Sequence, residues 1–522
     1  MISQPVFIAH FLFRRKQSGL ALFGLLFILL ITGCTALGPD FEKPEVSTEA
    51  SWSEQDEALS GEPRAQIEWW KAFNDPVLDK LIQTAYQQNL PLQVAGLRIL
   101  EARAQLGIAV GNRYPQVQQL KGSANRFRLS EKSPNFNALT DDNYSDHQIG
   151  FDAAWELDFW GRFRRSIESA EASLSVSEAD YDNTLVILTA EVARAYVTIR
   201  TLEEQLALVR SNISLQQESL RIAQVRYDNG ATTELDVQQA TSQLADTQAQ
   251  NPVLMTSLRQ ANNGLSVLMG MPPSDLTEML GGLGPIPVAS VSMATGIPAD
   301  LLRRRPDVRL AEYQAASQSA LIGVAKADLY PSFSLTGSIG YRASNTWDNS
   351  TSDLFDSDTL FFSAGPSFTW NILNYGRIKN NVRVQDARFQ QSVVNYQNTV
   401  LTAYQEVEDA MVAFGQSKRE STFRATSAAA AKRSVEISSI QYREGSVDFQ
   451  RVIDSQRVLV IQQNQWTTAR GDIALNLIAM YKALGGGWEI REGNSFISDE
   501  IRHEMEKRTN WGDLLTPENK AK

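Results

Sequence analysis

The sequence predicts an α+β membrane protein in which a strand pair and a very long helical hairpin are each written twice. Three observations carry that expectation: a repeat about 215 residues long, segments of apolar/polar alternation, and unbroken heptad spacing over long stretches. Trp155-Glu156-Leu157-Asp158-Phe159-Trp160-Gly161-Arg162 returns as Trp370-Asn371-Ile372-Leu373-Asn374-Tyr375-Gly376-Arg377, and Tyr227-Asp228-Asn229-Gly230 returns as Tyr442-Arg443-Glu444-Gly445. Tyr114-Pro115 and Tyr330-Pro331, with Met269-Gly270 and Leu484-Gly485, extend the correspondence over most of the chain.

Residues 1–33 read as a leader: Arg14, Arg15 and Lys16 form its basic region, Leu20 to Ile31 its apolar core, and Ile31-Thr32-Gly33-Cys34 a small-residue cleavage site. The apolar core is too short for a comfortable membrane span. Cys34, the only cysteine, stands where a bacterial lipoprotein signal peptidase would cut and leave an acylated N-terminal residue. Thr35 follows it in place of Asp, which favours sorting to the outer membrane. With no second cysteine there is neither a disulfide framework nor a cysteine metal site. Losing the leader removes three positive charges and no acids from a chain whose formal net charge is already -11, so nucleic acid is not an expected partner.

A Pro-, Ser- and Glu-rich linker, 34–65, is compatible with an extended strap. The first repeat, 66–270, opens with Trp69, Trp70, Phe73, Leu78, Leu81 and Ile82 in short helices that break at Asn89-Leu90-Pro91. A strand pair follows at about 115–160 and a helical hairpin at about 162–270. Residues 271–300 link to the second repeat, 301–488, with a helix at about 306–328, strands at about 331–373 and a hairpin at about 377–484. A polar tail, 489–522, is expected to be mobile.

In the second strand Ile149, Phe151, Ala153, Trp155 and Leu157 share one face, with Gln148, Asp152 and Glu156 on the other. The third sets Phe333, Leu335, Ile339 and Tyr341 against serines and Arg342, and the fourth sets Leu360, Phe362, Phe368 and Trp370 against Ser363, Ser367 and Thr369. The first alternates poorly and is placed by the repeat. This pattern suits a sandwich face or a membrane barrel wall. Two strand pairs are too few for either in one chain, so strands that span a membrane must share a barrel with other chains.

Tyr181, Leu185, Leu188, Val192, Ala195, Ile199, Leu202, Leu206, Val209 and Ile213 step by fours and threes, as do Tyr396, Val400, Ala403, Val407, Ala410 and Phe414. Residues 162–228, and likewise 377–443, predict helices about 100 Å long at roughly 1.5 Å per residue. Gly230 and Gly445 suit helix C-caps, and Thr233 and Asp448 the N-caps of the returning helices.

Nothing in the chain assembles a catalytic site. His503-Glu504 begins a zinc-protease-like motif, but Lys507 stands where its second histidine belongs. No phosphate loop or GxSxG elbow occurs, so no enzyme is expected. The most distinctive polar cluster is Arg451 and Asp454, three residues apart on one helix face. It is either a solvated ion pair or, in a ring of identical chains, a charged constriction.

Cys34, Gly38-Pro39-Asp40-Phe41, Trp69-Trp70-Lys71-Ala72-Phe73-Asn74-Asp75-Pro76, Trp155 to Arg162, Leu302-Arg303-Arg304-Arg305-Pro306-Asp307 and Tyr481 to Trp488 occur in order. Together they resemble the TolC-type outer membrane efflux factors, specifically the lipoprotein branch of NodT and OprM. The resemblance implies a homotrimer in which each chain gives four strands to a shared 12-stranded barrel and its hairpins to a periplasmic tunnel. It also implies a passive exit duct for small toxic compounds, served by an inner membrane transporter of the resistance-nodulation-division (RND) class and a periplasmic adaptor (membrane fusion) protein. The chain is expected to sit in outer membrane lipid, with no cofactor beyond the covalent lipid on Cys34.

By the same resemblance Asp454 matches an aspartate ringing the periplasmic gate. Arg451 stands where some relatives carry a second aspartate, and Gln450 where some carry an apolar residue, which argues against a double-acid or apolar gate. Arg451 is instead expected to tie neighbouring helices, with Asp454 as one partner. Adaptor contact falls on Arg226, Tyr227, Gly230 and Thr233 in the first turn, and on Tyr442, Gly445, Ser446 and Asp448 in the second. A type I protein secretion duct is the alternative within transport. A periplasmic coiled-coil adaptor is the alternative outside it, disfavoured by two hairpins and paired strands.

Overall fold

The computed structural model describes residues 36–46, 52, 68–132, 142–289, 303–346 and 349–515. The leader, Cys34, most of the linker 34–65, residues 290–302 and the end of the tail lie outside the described residues. The helices are α1 (Pro76–Gln88), α2 (Leu90–Gly111), α3 (Arg162–Asp228), α4 (Glu234–Leu268), α5 (Pro306–Ala327), α6 (Arg377–Arg443), α7 (Phe449–Ala483) and α8 (Asp499–Arg508). The strands are β1 (Val117–Arg128), β2 (Asn143–Leu157), β3 (Ser332–Ser344) and β4 (Leu360–Thr369). The described residues fall into two compact units, one drawn from Met1–Pro44, Glu101–Ser175 and Glu312–Val394, the other from Glu45–Leu100, Val176–Ala311 and Asn395–Lys522.

The first unit is built on one antiparallel sheet in the order β1-β2-β3-β4. Leu120, Phe151, Ile339 and Phe362 lie in one row across it, and Gln119, Asp152, Ser338 and Ser363 in the next. Because side chains alternate along a strand, the first row belongs to an apolar face and the second to a polar one. The apolar face is exposed at Leu120, Phe151, Trp155, Leu335, Ile339, Phe362 and Phe368. The polar face is braced by Lys121–Asp152 at 3.0 Å and Arg342–Asp146 at 2.9 Å. Weak alternation in β1 is thereby resolved: pairing with β2 assigns its faces where composition does not.

At the helix-proximal end of the sheet three indoles donate to backbone carbonyls. Trp155 reaches Arg113 O at 3.1 Å, Trp160 reaches Pro331 O at 2.8 Å and Trp370 reaches Leu329 O at 3.0 Å. Phe127, Tyr144, Tyr341 and Phe355 sit toward the other end, where Phe127 stacks on Tyr144 and Tyr341 meets Phe355 edge-on. Trp155 and Tyr341 belong to the apolar face and the Phe127–Tyr144 pair to the polar one, and aromatic rings at both ends of a sheet are the pattern of a wall whose ends lie at membrane interfaces.

The second unit is helical. Asp75 opens α1 by accepting from Val77 N at 2.9 Å, and Asn89 opens α2 by accepting from Leu92 N at 2.9 Å. α3 and α6 are each 67 residues long, and α4 and α7 each 35. The expected heptads are buried in α6 from Tyr396 to Phe414 and in most of α3 as far as Val209. Beyond Val209 the seam departs from expectation: Asn212, Gln216 and Ser219 are buried and Ile213 is not. The inward positions advance 209, 212, 216, 219, which keeps the 3.5-residue spacing but hands the interface to polar side chains. Two of the three are satisfied across helices, Asn212 by Gln463 at 2.9 Å and Ser219 by Gln456 at 2.7 Å, while the buried Gln216 amide meets no partner among the described residues.

The expectation of a mobile polar tail is corrected as far as Leu515. Trp488–Arg491 form a 3-10 turn and α8 is capped by Ser498. Ile497, Met505 and Leu515 pack on Leu100, and Gly96 admits the backbone of Phe496 where a Cβ would collide. Arg491 ion-pairs with Asp182, whose side chain is 0% exposed, and Arg309 adds a second cation at 3.5 Å. Composition predicted mobility because the segment is charged. Its few apolar residues at helical spacing, and one arginine reaching a buried acid, are enough to dock it.

Candidate functional site

Two helix turns within the second unit converge on one apolar cluster. α3 passes into α4 through Gly230 at φ +69°, and α6 passes into α7 through Gly445 at φ +78°, backbone angles that favour glycine. Ala231 N donates to Arg226 O at 2.8 Å and Ser446 N to Gln441 O at 2.9 Å, closing both helix ends in the Schellman manner. Ala223, Ala240, Tyr442, Phe449, Val452 and Ile453 form the buried cluster behind them. Thr233 and Asp448 occupy the expected N-cap positions, but neither side chain accepts from the helix it precedes.

Across this cluster runs a polar chain. Arg226 donates to Tyr442 O at 2.7 Å and lies 4.7 Å from the centre of the Tyr442 ring. The Tyr442 hydroxyl donates to Asp236 Oδ2 at 3.2 Å, and Thr232 Oγ1 donates to the same oxygen. One acid on α4 thus receives a donor from the end of α6, and one cation on α3 binds the backbone at that same end. Burial, with the Asp236 carboxylate beside it, holds the Tyr442 hydroxyl above the ordinary value of 10.0.

The structure separates the residues expected to touch a partner. Tyr227, Gly230, Thr233, Gly445, Ser446 and Asp448 are exposed and form a rim, whereas Tyr442 is buried and Arg226 half-buried inside the polar chain. Asp236 and Thr232 were not singled out from the sequence. Asp236 stands three residues after Thr233, a spacing typical of a capping box, and that was a usable signal. Here the acid is drawn away from the cap by Tyr442 and Thr232.

Gln450, Arg451 and Asp454 are exposed on α7, with Val452 and Ile453 buried behind them. The expected Arg451–Asp454 link does not form among the described residues. Asp454 Oδ1 accepts from Gln450 Nε2 at 2.9 Å, and Gln450 Oε1 in turn accepts from Gln239 on α4 at 3.2 Å. Gln450 sits one full turn before Asp454 and its amide reaches along the helix, while the Arg451 side chain extends to solvent. The tie between neighbouring helices is therefore made by Gln450.

The family profile described as outer membrane efflux protein matches residues 81–271 and 297–486. The chain belongs to this family. The solvent efflux pump outer membrane protein SrpC of Pseudomonas putida is 30% identical over 483 residues, 90% of this chain and 98% of that one. Nodulation protein T of Rhizobium leguminosarum bv. trifolii is 29% identical over 470 residues, 88% of this chain and 96% of that one. Among solved structures, the outer-membrane channel OprN superposes with a TM-score of 0.80 at 30% identity, covering 87% of this chain and all of that one. The open state of the Neisseria gonorrhoeae MtrE channel superposes with a TM-score of 0.74 at 26% identity, over 87% of this chain and 99% of that one. This outer membrane efflux protein is thus a transport channel component of the outer membrane, and the TolC-type resemblance stands.

Proposed function

We propose that three copies of this efflux protein join edge to edge, β4 of one beside β1 of the next, into a 12-stranded barrel. Their long hairpins then form a periplasmic tunnel. The observation that carries this reading is the open sheet: β1 and β4 are its outer strands, and its exposed face is aliphatic and aromatic. No described helix is long and apolar enough to cross a membrane. A lipid-exposed sheet edge leaves backbone groups unsatisfied at several kcal/mol each, so a four-stranded sheet in a bilayer requires partners for both edges.

Acylation of Cys34 tethers each chain to the same membrane. Transport is passive: an RND-type inner membrane transporter supplies the energy and a periplasmic adaptor docks on the exposed rim of the two turns. Cargo is small toxic compounds, and solvents are one such class. At the turns the carboxylates of Asp454 from three chains ring the aperture and favour cations.

The chain Arg226–Tyr442–Asp236 is the latch of the closed state. Each hydrogen bond to a charged group contributes about 1.5–3 kcal/mol, so adaptor binding must favour the parted turns by at least that much per protomer. The hydrogen-bonded seam positions Asn212 and Ser219 suit such movement, because hydrogen-bonded contacts exchange partners where an interdigitated apolar seam resists. Native mass spectrometry of the detergent-extracted protein tests the assembly. A trimer with three acylated chains is expected, and a monomer would overturn it.

A further inference from the structure

The first described residues of the chain lie in a slot made by two glycines of the first unit. Leu37 N donates to Trp160 O at 3.0 Å. A Cβ on Gly161 would meet Ala36 Cα at 2.6 Å, and a Cβ on Gly323, within α5, would meet Leu37 O at 2.5 Å and Arg165 Cγ at 2.7 Å. Gly38 itself, at φ +100°, presses so close that a Cβ there would meet Gly323 Cα at 2.6 Å. These three glycines together leave room for a backbone and no more.

Arg165 closes the slot. Its side chain is 6% exposed, yet its guanidinium donates to Leu37 O at 3.1 Å and pairs with Asp40 and Glu168, each at 2.7 Å. Farther along the strap, Lys43 pairs with Glu312 of α5. A buried cation committed to the backbone and side chain of an extended N-terminal segment is costly to desolvate, and its bonds to Leu37, Asp40 and Glu168 offset that cost.

The slot lies beside the indole belt: Trp160, whose carbonyl takes Leu37 N, also donates to Pro331 O and packs on Tyr330 with ring centres 4.7 Å apart. Such rings settle at headgroup level. Leu37 is three residues after Cys34. Three residues span at most about 11 Å, so a group carried on Cys34 is tethered to Leu37 by no more than that length of chain.

We propose that Arg165 and the slot formed by Gly38, Gly161 and Gly323 are a positioning clamp, which sets the acylated Cys34 at the periplasmic rim of the barrel wall and registers lipid anchor and sheet in the same leaflet. The proposal rests on acylation of Cys34. Arg165 acts through the strap and contacts no cargo. Its consequence is kinetic: an anchored strap holds each sheet at its insertion depth while neighbouring edges find one another.

The test uses the full-length protein in opened outer membranes, with three readouts. These are palmitate labelling of Cys34, cleavage at Glu42 by a glutamate-specific protease, and the rate at which the heat-resistant assembled form appears. Gly323→Ala and Arg165→Ala should keep the label, be cut about tenfold faster than wild type and assemble more slowly. Asp40→Asn, which removes only an exposed partner, should be cut at an intermediate rate and guards against a simple folding failure. Labelled variants cut at the wild-type rate would overturn the clamp, and faster cutting with unchanged assembly would overturn its positioning role. Unlabelled wild type with Glu42 still protected would instead overturn the acylation on which the proposal rests, separating that failure from failure of the clamp.

Discussion

The hydroxyl of Tyr442, at the end of α6, donates to the carboxylate of Asp236, in the first turn of α4, at 3.2 Å. The two residues are 206 positions apart and belong to different hairpins. Arg226 stacks on the same tyrosine and holds its carbonyl, so the ends of two hairpins are fastened at one point. Parting the two hairpin ends must break these directed contacts, whereas the buried cluster of Tyr442, Phe449 and Val452 gives only non-directional cohesion.

The latch should survive mild alkali and fail in strong alkali. Tyr442 faces Asp236 on α4 and Arg226 on α3, and its folded value lies above 10.0, chiefly through burial. A group raised in the folded state contributes stability fully present below its unfolded value and lost as pH climbs through the folded one. Open-channel frequency should therefore be flat from pH 7 to about 10 and rise beyond it. Tyr442→Phe should abolish that rise, which recordings in buffers of stepped pH would show.

Pairing of β2 with β3 depends on two facing glycines. A Cβ on Gly340 would meet Gly150 Cα at 2.5 Å, while one on Gly365 would meet nothing within 4 Å. Gly340→Ala should cost roughly 3 kcal/mol or more by forcing the strands apart, and should deplete the assembled form in the outer membrane. Gly365→Ala should leave it at the wild-type level. Heat-modifiability on gels distinguishes the two.

Docking of the C-terminal segment rests on Arg491. Removing it leaves the buried Asp182 with Arg309 alone at 3.5 Å. Breaking a buried pair by deleting one partner costs about 3–5 kcal/mol, so Arg491→Ala should lower the unfolding temperature by several degrees. Lys507→Ala, whose partner Glu504 is exposed, should change it by under about 0.5 kcal/mol. Calorimetry on both variants checks the contrast.

Asp454 and Arg451 should behave differently although they share a helix face. Asp454 is exposed and held by Gln450, so Asp454→Asn should reduce cation preference, seen as a reversal potential moved toward zero in a salt gradient. Arg451 has no ion-pair partner among the described residues, so Arg451→Ala should leave the frequency of opening unchanged and increase cation preference. An Arg451→Ala channel that opens readily would restore the arginine tie expected from the sequence.

The strands, long helices and glycine turns were legible because each follows a local period or a local backbone demand. Trp155 and Trp370 mark matching strand ends, and Gly230 and Gly445 matching caps, with no reference to tertiary structure. What stayed hidden depended on partners far away in sequence. Asp236 looks like a capping acid until Tyr442 claims it, and Arg165 looks like one more helix charge until Leu37 and Asp40 arrive. Asn212 and Gln216 break an apolar heptad, and only Gln463 on another helix explains how the buried asparagine is satisfied. The tail misled for the same reason, since its docking hangs on Asp182 more than three hundred residues earlier.

The central claim, a pore held shut at the hairpin turns, is tested most directly by single-channel recording in planar bilayers of wild type and Tyr442→Phe carrying Asp236→Asn. Wild type should conduct weakly and seldom, and the double variant at least about tenfold more often, equivalent to no less than about 1.4 kcal/mol of lost closed-state stability. A wild type that never conducts, or a double variant that opens no more often than wild type, would contradict the account.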